Sequence, residues 1–377
     1  MRLAFTIFKY FPHGGAQKDM LAIAHACKQR GHDITLFCYE FQGEQPAWLD
    51  LRLLPAKGRS NHRRAMHFQE LALTAIAADR FDGVIGFSRM AGLDVYFAAD
   101  DCLAAQLATR SLLTRMLPRA RSFAVMERAA ISPAGAKMIL TLTRRQEDDF
   151  QRHYSCAPRR FFRLPPLVPD AFRDLAALQA KRNALRQELG AGEKDLILAQ
   201  VASSYHTKGV DRTLRAIAAL PDSIRPRLWV VGAEKHPGGM QRLARKLGIA
   251  PRITFCGGRN DVPAILAAAD AMVHPARQES AGAVLVEALA AGLPVITSGI
   301  CGYAEHVHNA GAGAVIPEPF QQHQLNQQLA SLLADHAWLQ SCAANARAYT
   351  KNHDFYARAD IAAIAIEKSL TTKATTP

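Results

Sequence analysis

Two doubly wound α/β domains are what this sequence predicts, on three observations. Short apolar runs rich in β-branched residues alternate with segments of helical period along the chain. The alternation occurs twice, and a proline-rich stretch, Leu164-Pro165-Pro166-Leu167-Val168-Pro169, separates the two sets. Continuous apolar strands between helices are the mark of a parallel sheet covered on both faces. At 377 residues the chain is too long for one ordinary core, so each set is assigned its own. The expected divisions are 1–167, 168–353 and a returning segment, 354–377.

In the first half, strands are expected at Leu3–Phe8, Ile34–Tyr39, Leu51–Leu54, Gly83–Phe87, Val95–Ala98 and Met138–Leu142. Between the first two, a helix over Gln17–Arg30 stops at Gly31, whose missing side chain suits the position that closes a helix. Leu103–Ser132 carries Arg110, Arg115, Arg119, Arg121 and Arg128 against Glu127 alone, interleaved with Leu107, Leu112, Leu113, Met116, Leu117, Phe123, Val125 and Met126. Such a segment either lies in a membrane interface with its arginines at anionic headgroups or is a surface helix with a solvated basic face. Pro118 is placed to kink or break it. The prolines after Leu164 forbid helix and suit a stiff hinge. The second half repeats the pattern with Leu196–Ala202, Arg227–Val231, Ile253–Phe255, Ala271–His274, Pro294–Thr297 and Ala314–Ile316. Helical patterning resumes at Tyr356–Leu370, after the second sheet is complete, and is expected to dock on the first domain. Ligands of such sheets bind beyond the carboxyl ends of the strands, here in a cleft between the domains.

Composition narrows the classes. The seven cysteines are odd in number and contain no C-x-x-C pair, against a disulfide framework or a zinc site and for a reducing compartment. Met1-Arg2 runs straight into a strand with no signal-peptide pattern, and no run is long enough to span a bilayer. The expected location is cytoplasmic, or peripheral on the cytoplasmic face of a membrane. Net charge is +13, unevenly spread. Residues 1–167 hold 24 Lys+Arg against 15 Asp+Glu, and the rest 22 against 18. The first half should therefore face a polyanion or an anionic membrane. Nucleic acid is not favoured, since no helix-turn-helix, zinc-finger or aromatic-basic stacking motif accompanies the charge.

The chemistry concentrates in HPARQESAGAVLVEALAAGLPV, where Glu279 lies in the loop after a buried strand and Glu287 in the helix that follows. Were the stretch wholly helical, the two would stand roughly 12 Å apart. Between them the amides of Ala281, Gly282 and Ala283 open a helix N-terminus suited to a diphosphate. An isolated E-x7-E is ordinarily two solvated glutamates, and its neighbours change that. Lys208, at the head of a helix beyond the first strand of the second half, can neutralise phosphate, although most lysines are simply solvated. Arg259, in Gly257-Gly258-Arg259-Asn260-Asp261, can reach phosphate too. Gly14 and Gly15 sit at a strand-to-helix turn where backbone can approach a ligand, although a Gly-Gly turn alone is usually only a turn. This is not G-x-G-x-x-G, so a dinucleotide cofactor is not expected. Asp100 and Asp101 end the Tyr96-Phe97-Ala98-Ala99 run, where a carboxylate can accept from a hydroxyl. Glu127, among arginines, reads as a structural ion pair. His13 and His274 have no partners at metal-ligand spacing, so no metal is expected.

The series KYFPHGGAQKD, GLDVYFAAD, KGVDR, GRNDV, HPARQE(x7)EALAAGLPV and CGYAEH resembles, in order and across essentially the whole chain, the glycosyltransferase family 4 enzymes. Within them it is most similar to the lipopolysaccharide core glucosyltransferases. The resemblance implies the GT-B fold, two Rossmann-like domains facing across a donor cleft. It also implies retaining transfer of a hexose from a nucleotide-sugar donor, without a metal or other cofactor. By position Glu279 would hold the hexose hydroxyls, Glu287 the ribose diol, and Lys208 the charge of the departing diphosphate. Amides of Gly15 and of Ala281–Ala283 would assist, and Asp100 would lie near the reacting centre or acceptor. One departure stands out: where the family loop reads G-x-x-x-x-R-K-G, this chain has Ala202 for the glycine and Thr207 for the arginine. A lost guanidinium removes charge-assisted hydrogen bonds worth ~1.5–3 kcal/mol each. Arg277 and Arg259 are the candidates to compensate. The expectation is glucose transfer from UDP-glucose to a heptose of the lipopolysaccharide inner core, an acceptor set in an anionic membrane. Another GT-B nucleotide-sugar enzyme, such as an epimerase, and a non-catalytic nucleotide-sugar binder are the rivals.

Overall fold

The computed structural model describes residues 1–12 and 14–371; His13 and the end of the expected tail, 372–377, lie outside them. The chain forms two compact units, Met1–Pro165 together with the chain from Ala357 onward, and Pro166–Tyr356.

In the first unit the strands are β1 (Arg2–Thr6), β2 (Lys9–Tyr10), β3 (Asp33–Cys38), β4 (Glu40–Phe41), β5 (Asp50–Leu53), β6 (Gly83–Gly86), β7 (Val95–Phe97), β8 (Met138–Thr141) and β9 (Phe161–Arg163). Seven make one all-parallel sheet in the order β5-β3-β1-β6-β7-β8-β9, with β2 and β4 paired beside it. The order reverses between β1 and β6, so their outgoing loops diverge and leave a crevice. Both β9 and the β2–β4 pair are additions to the expected strands. Phe68, Tyr96, Met126, Ile139 and Phe150 fill one side of this core.

Leu103–Ser132, expected as one amphipathic segment, is three helices: Leu103–Ala108, Leu112–Met116 and Pro118–Ile131. Pro118 starts the third rather than kinking a longer one. At the first helical position its missing N–H costs nothing, and its fixed φ is already suitable. The last helix, Arg358–Thr371, packs on the helix Gly15–Gln29. A buried pair fastens it there: Arg358 Nη1 lies 3.1 Å from Asp19 Oδ2, while Arg358 Nε donates to the Pro165 carbonyl.

The second unit holds β10 (Ile197–Val201), β11 (Arg227–Val231), β12 (Ile253–Gly257), β13 (Ala271–His274), β14 (Val295–Ser298) and β15 (Gly313–Ile316). All pairings are parallel, in the order β12-β11-β10-β13-β14-β15. Here the reversal falls between β10 and β13. Every residue of β13 and β14 is buried, as strands covered on both faces must be. No helix among the described residues is long and apolar enough to cross a membrane.

Candidate active site

Two loops leave the reversal point of the second sheet side by side. After β10 the chain runs through Ala202–Gly209 into the helix Val210–Ala218; after β13 it runs through Pro275–Gly282 into the helix Ala283–Ala290. Gly209 makes the approach possible. Its φ of +70° is left-handed, and a Cβ there would meet the Pro275 carbonyl oxygen at 2.1 Å. The loops are stitched by Arg277 N–H donating to the Thr207 carbonyl at 2.8 Å and by Arg212 Nη1 donating to the carbonyls of Pro275 and Ala276. From β14, Ser298 Oγ donates to the Ala276 carbonyl, and Thr297 Oγ1 to that of His274.

This stitching brings Lys208 and Glu279 into direct contact, Nζ to Oε2 at 2.6 Å, with side chains only 20% and 15% exposed. His274 Nε2 reaches the same oxygen at 3.1 Å. Burial pushes the Glu279 carboxyl up, but His274 and Lys208 more than offset it, and the group sits below the usual carboxylate range. Gly282, at φ +87°, caps the following helix without a side-chain hydrogen bond. A Cβ there would press on Glu279 Cγ at 3.1 Å. Ala281 precedes it and Ala283 begins the helix, so the free amides of that first turn open beside the Lys208–Glu279 pair. Because the helix starts only at Ala283, the 12 Å helical spacing does not apply to Glu279 and Glu287. Glu287 is half-buried within the helix itself.

The two arginines considered as replacements for the missing guanidinium are placed differently. Arg277 grips Asp211 with both terminal nitrogens, at 2.7 and 2.9 Å, and donates to the His206 carbonyl. It braces the lysine loop rather than offering a free cation. Burial pushes the Asp211 carboxyl up, and the Arg277 guanidinium more than offsets this, leaving it below the usual range. Arg259 is held by Asp261 at 2.7 and 2.6 Å and by Glu188 at 2.7 Å. Reaching a phosphate would require it to leave two carboxylates.

In the first unit, Gly14 caps and Gly15 begins the helix Gly15–Gln29, with no side-chain cap. The space beside Gly15 is open, whereas a Cβ on Gly14 would collide with Gln17 and Phe11. Asp100 lies past the end of β7, largely exposed, with Arg89 Nη1 at 3.3 Å from Oδ2. Both line a cavity of about 540 Å³ at the carboxyl ends of β1, β6 and β7, walled by Phe8, Phe87, Leu103, Leu107, Leu117 and Phe123. Arg89 is fixed from behind by Glu127, which is fully buried and accepts from Arg89 Nε at 2.8 Å and Tyr154 Oη at 2.7 Å. Glu127 also accepts the amides of Leu103 and Ala104, capping the Leu103–Ala108 helix. It is the structural group expected, with a wider role than an ion pair. In the helix Leu112–Met116, whose Thr114 lines the cavity, Leu112, Leu113 and Met116 are 71%, 80% and 67% exposed, and Arg110, Arg115, Arg119 and Arg121 in the same stretch of chain are exposed too. Apolar side chains this open in one short segment mark an interaction surface.

Sequence reasoning passed over Arg89, whose signal is a cation just past a strand's carboxyl end. It weighed His274 only as a metal ligand. Among the described residues no group of three or more His, Cys, Asp or Glu side chains is arranged to hold a metal ion.

Residues 181–349 match the family model of the glycosyl transferases group 1. The chain is 40% identical over 366 residues to the lipopolysaccharide glucosyltransferase WaaG of Escherichia coli (strain K12), covering 96% of this chain and 98% of that protein. A crystal structure of WaaG, a glycosyltransferase involved in lipopolysaccharide biosynthesis, superposes with a TM-score of 0.85 over 97% of this chain and 99% of that one, at 40% identity. Sucrose-phosphate synthase from Thermosynechococcus elongatus shares the fold, with a TM-score of 0.74 at 18% identity over 99% of this chain and 98% of that one.

Proposed function

Because the chain belongs to the glycosyl transferases group 1 family, a hexosyltransferase family of GT-B fold using nucleotide-sugar donors, we propose that it moves glucose from UDP-glucose onto a heptose of the lipopolysaccharide inner core, with retention of configuration. One observation carries the reading: an ammonium and a carboxylate in contact, Lys208 and Glu279, beside an open helix N-terminus at a sheet's reversal point. The full-length similarity to a lipopolysaccharide glucosyltransferase supports the donor and acceptor classes.

In this reading the donor diphosphate lies at the amides of Ala281–Ala283 with Lys208 supplying charge, Glu279 accepts from the hexose hydroxyls, and Glu287 accepts from the ribose diol. The bond from the sugar's anomeric carbon to the phosphate oxygen breaks while the acceptor oxygen bonds the same face. The acceptor proton passes to the leaving phosphate. Lys208 and the helix amides lower the barrier by meeting the negative charge that grows on that phosphate. No resident metal or cofactor is assigned to the step. The acceptor sugar is assigned to the cavity of the first unit, its apolar face on Phe8 and Phe87, its hydroxyls at Asp100 and Arg89. The test is a donor panel of UDP-glucose, UDP-galactose, UDP-N-acetylglucosamine and ADP-heptose with truncated core acceptors, with and without EDTA. The anomeric configuration is read by NMR. Selective, EDTA-insensitive α-glucosyl transfer is expected. A β product would overturn retention, donor turnover without acceptor would point to an epimerase, and binding without turnover would point to a non-catalytic binder.

The enzyme is further proposed to work peripherally on the cytoplasmic face of the inner membrane, with Leu112, Leu113 and Met116 in the interface and Arg110, Arg115, Arg119 and Arg121 at anionic headgroups. Each arginine near such a surface contributes ~1 kcal/mol. Replacing Arg115, Arg119 and Arg121 together by glutamine should therefore lower partition onto phosphatidylglycerol-containing vesicles by roughly 10²-fold at low salt. Unchanged co-sedimentation would dispose of the membrane assignment.

A further inference from the structure

We propose that His274 is a positioning residue for sugar transfer: its Nε2–H holds the Glu279 carboxylate in place while Lys208 turns to the leaving diphosphate. The proposal rests on the transferase reading given above. One carboxylate oxygen, Glu279 Oε2, receives both donors, Lys208 Nζ at 2.6 Å and His274 Nε2 at 3.1 Å. Lysine is a point charge on a flexible stem. Whatever share of its charge faces a diphosphate is withdrawn from Glu279. That carboxylate, mostly buried, must keep a donor, or it is left desolvated and free to swing away from the sugar hydroxyls.

His274 is built to remain. It ends β13, an interior strand between β10 and β14, its carbonyl is held by Thr297 Oγ1 at 3.0 Å, and the residue is 1% exposed. Its other ring nitrogen, Nδ1, is buried with no hydrogen-bond partner. An imidazolium would bury a second N–H there with nothing to accept it. A ring protonated at Nδ1 alone would turn a lone pair toward the carboxylate. The proton therefore belongs on Nε2, aimed at Glu279. The two donors divide the work, a mobile one for the leaving group and a fixed one for the sugar-binding carboxylate.

The experiment compares His274→Leu with His274→Gln, whose side-chain amide can return an N–H near the place of Nε2. Removing a hydrogen bond to a charged group should lower kcat of His274→Leu by about 10- to 100-fold while UDP affinity stays within about threefold, and His274→Gln should recover most of the loss. In wild-type protein, ¹⁵N NMR should find His274 protonated at Nε2, and that signal should persist as UDP is added. Equal loss of kcat in both variants, a fall in UDP affinity matching the fall in kcat, or an Nδ1–H tautomer would each overturn the assignment. If wild-type protein transfers no sugar at all, it is the function reading that fails, and the role in transfer falls with it, while the tautomer measurement separately tests the His274–Glu279 hydrogen bond.

Discussion

Lys208→Ala is expected to lower kcat by about 10²–10³-fold, a loss of ~2.7–4 kcal/mol in transition-state stabilisation. The charge that matters develops only as the sugar–phosphate bond breaks, so the effect should fall on kcat far more than on donor KM. The variant has a second consequence, because Lys208 is also one of two donors to a mostly buried carboxylate. Without it, Glu279 keeps His274 alone, burial is offset less, and its carboxyl group moves upward. Activity that depends on an ionised Glu279 is present above its pKa and lost below it, so the acid limb of the pH profile should shift to higher pH. Steady-state kinetics across pH, with thermal melts to check folding, measure both. The double variant Lys208→Ala/Glu279→Ala should lose far less than the product of the single losses, since the groups touch. A Lys208→Ala enzyme within about threefold of wild-type kcat would remove the basis of the mechanism.

Much of that site is legible in the sequence, and what is not has a definite physical cause. The twelve expected strands are all found, Arg227–Val231 and Ala271–His274 with the expected ends and the rest with shifted ones, because buried parallel strands read as continuous apolar runs. The edge strand Phe161–Arg163 escapes this test: it is three residues long, partly exposed and ends in a charge. Glu279 and Lys208 can each be named from their loops, but their contact, across 71 residues of sequence, depends on β10 and β13 being neighbours. Strand order is set by the packing of the whole domain and leaves no local trace. The same holds for Arg277 and Asp211, whose pairing across 66 residues turns an apparent phosphate ligand into a brace for the lysine loop. For Arg259 the partner Asp261 is two residues away and visible, yet sequence alone does not say whether the arginine faces it or a ligand.

Glu127→Ala should destabilise the first unit by about 3–5 kcal/mol, the usual result of removing one member of a buried ion pair. The carboxylate is fully buried and accepts from Arg89, Tyr154 and the amides of Leu103 and Ala104, so its loss leaves three donors without their acceptor and Arg89 with only the exposed Asp100 carboxylate and the Asp101 carbonyl. Burial and the Glu127 carboxylate push the Cys102 thiol up to about 12, which keeps that neighbour protonated. Arg89→Met/Glu127→Leu should regain part of the loss by removing a largely buried guanidinium that has lost its buried partner. Full recovery is not expected, because the amides of Leu103 and Ala104 still lack their acceptor and the helix its cap. Hydrogen–deuterium exchange after denaturant titration separates the units: protection should fall across β6, β7 and β8 and persist across β10, β13 and β14. Arg89 and Asp100 line the cavity that Glu127 supports, so acceptor KM should rise while UDP affinity holds. A stability loss under about 1 kcal/mol, or deprotection spread equally over both units, would mean that the carboxylate is not what holds this side of the first domain together.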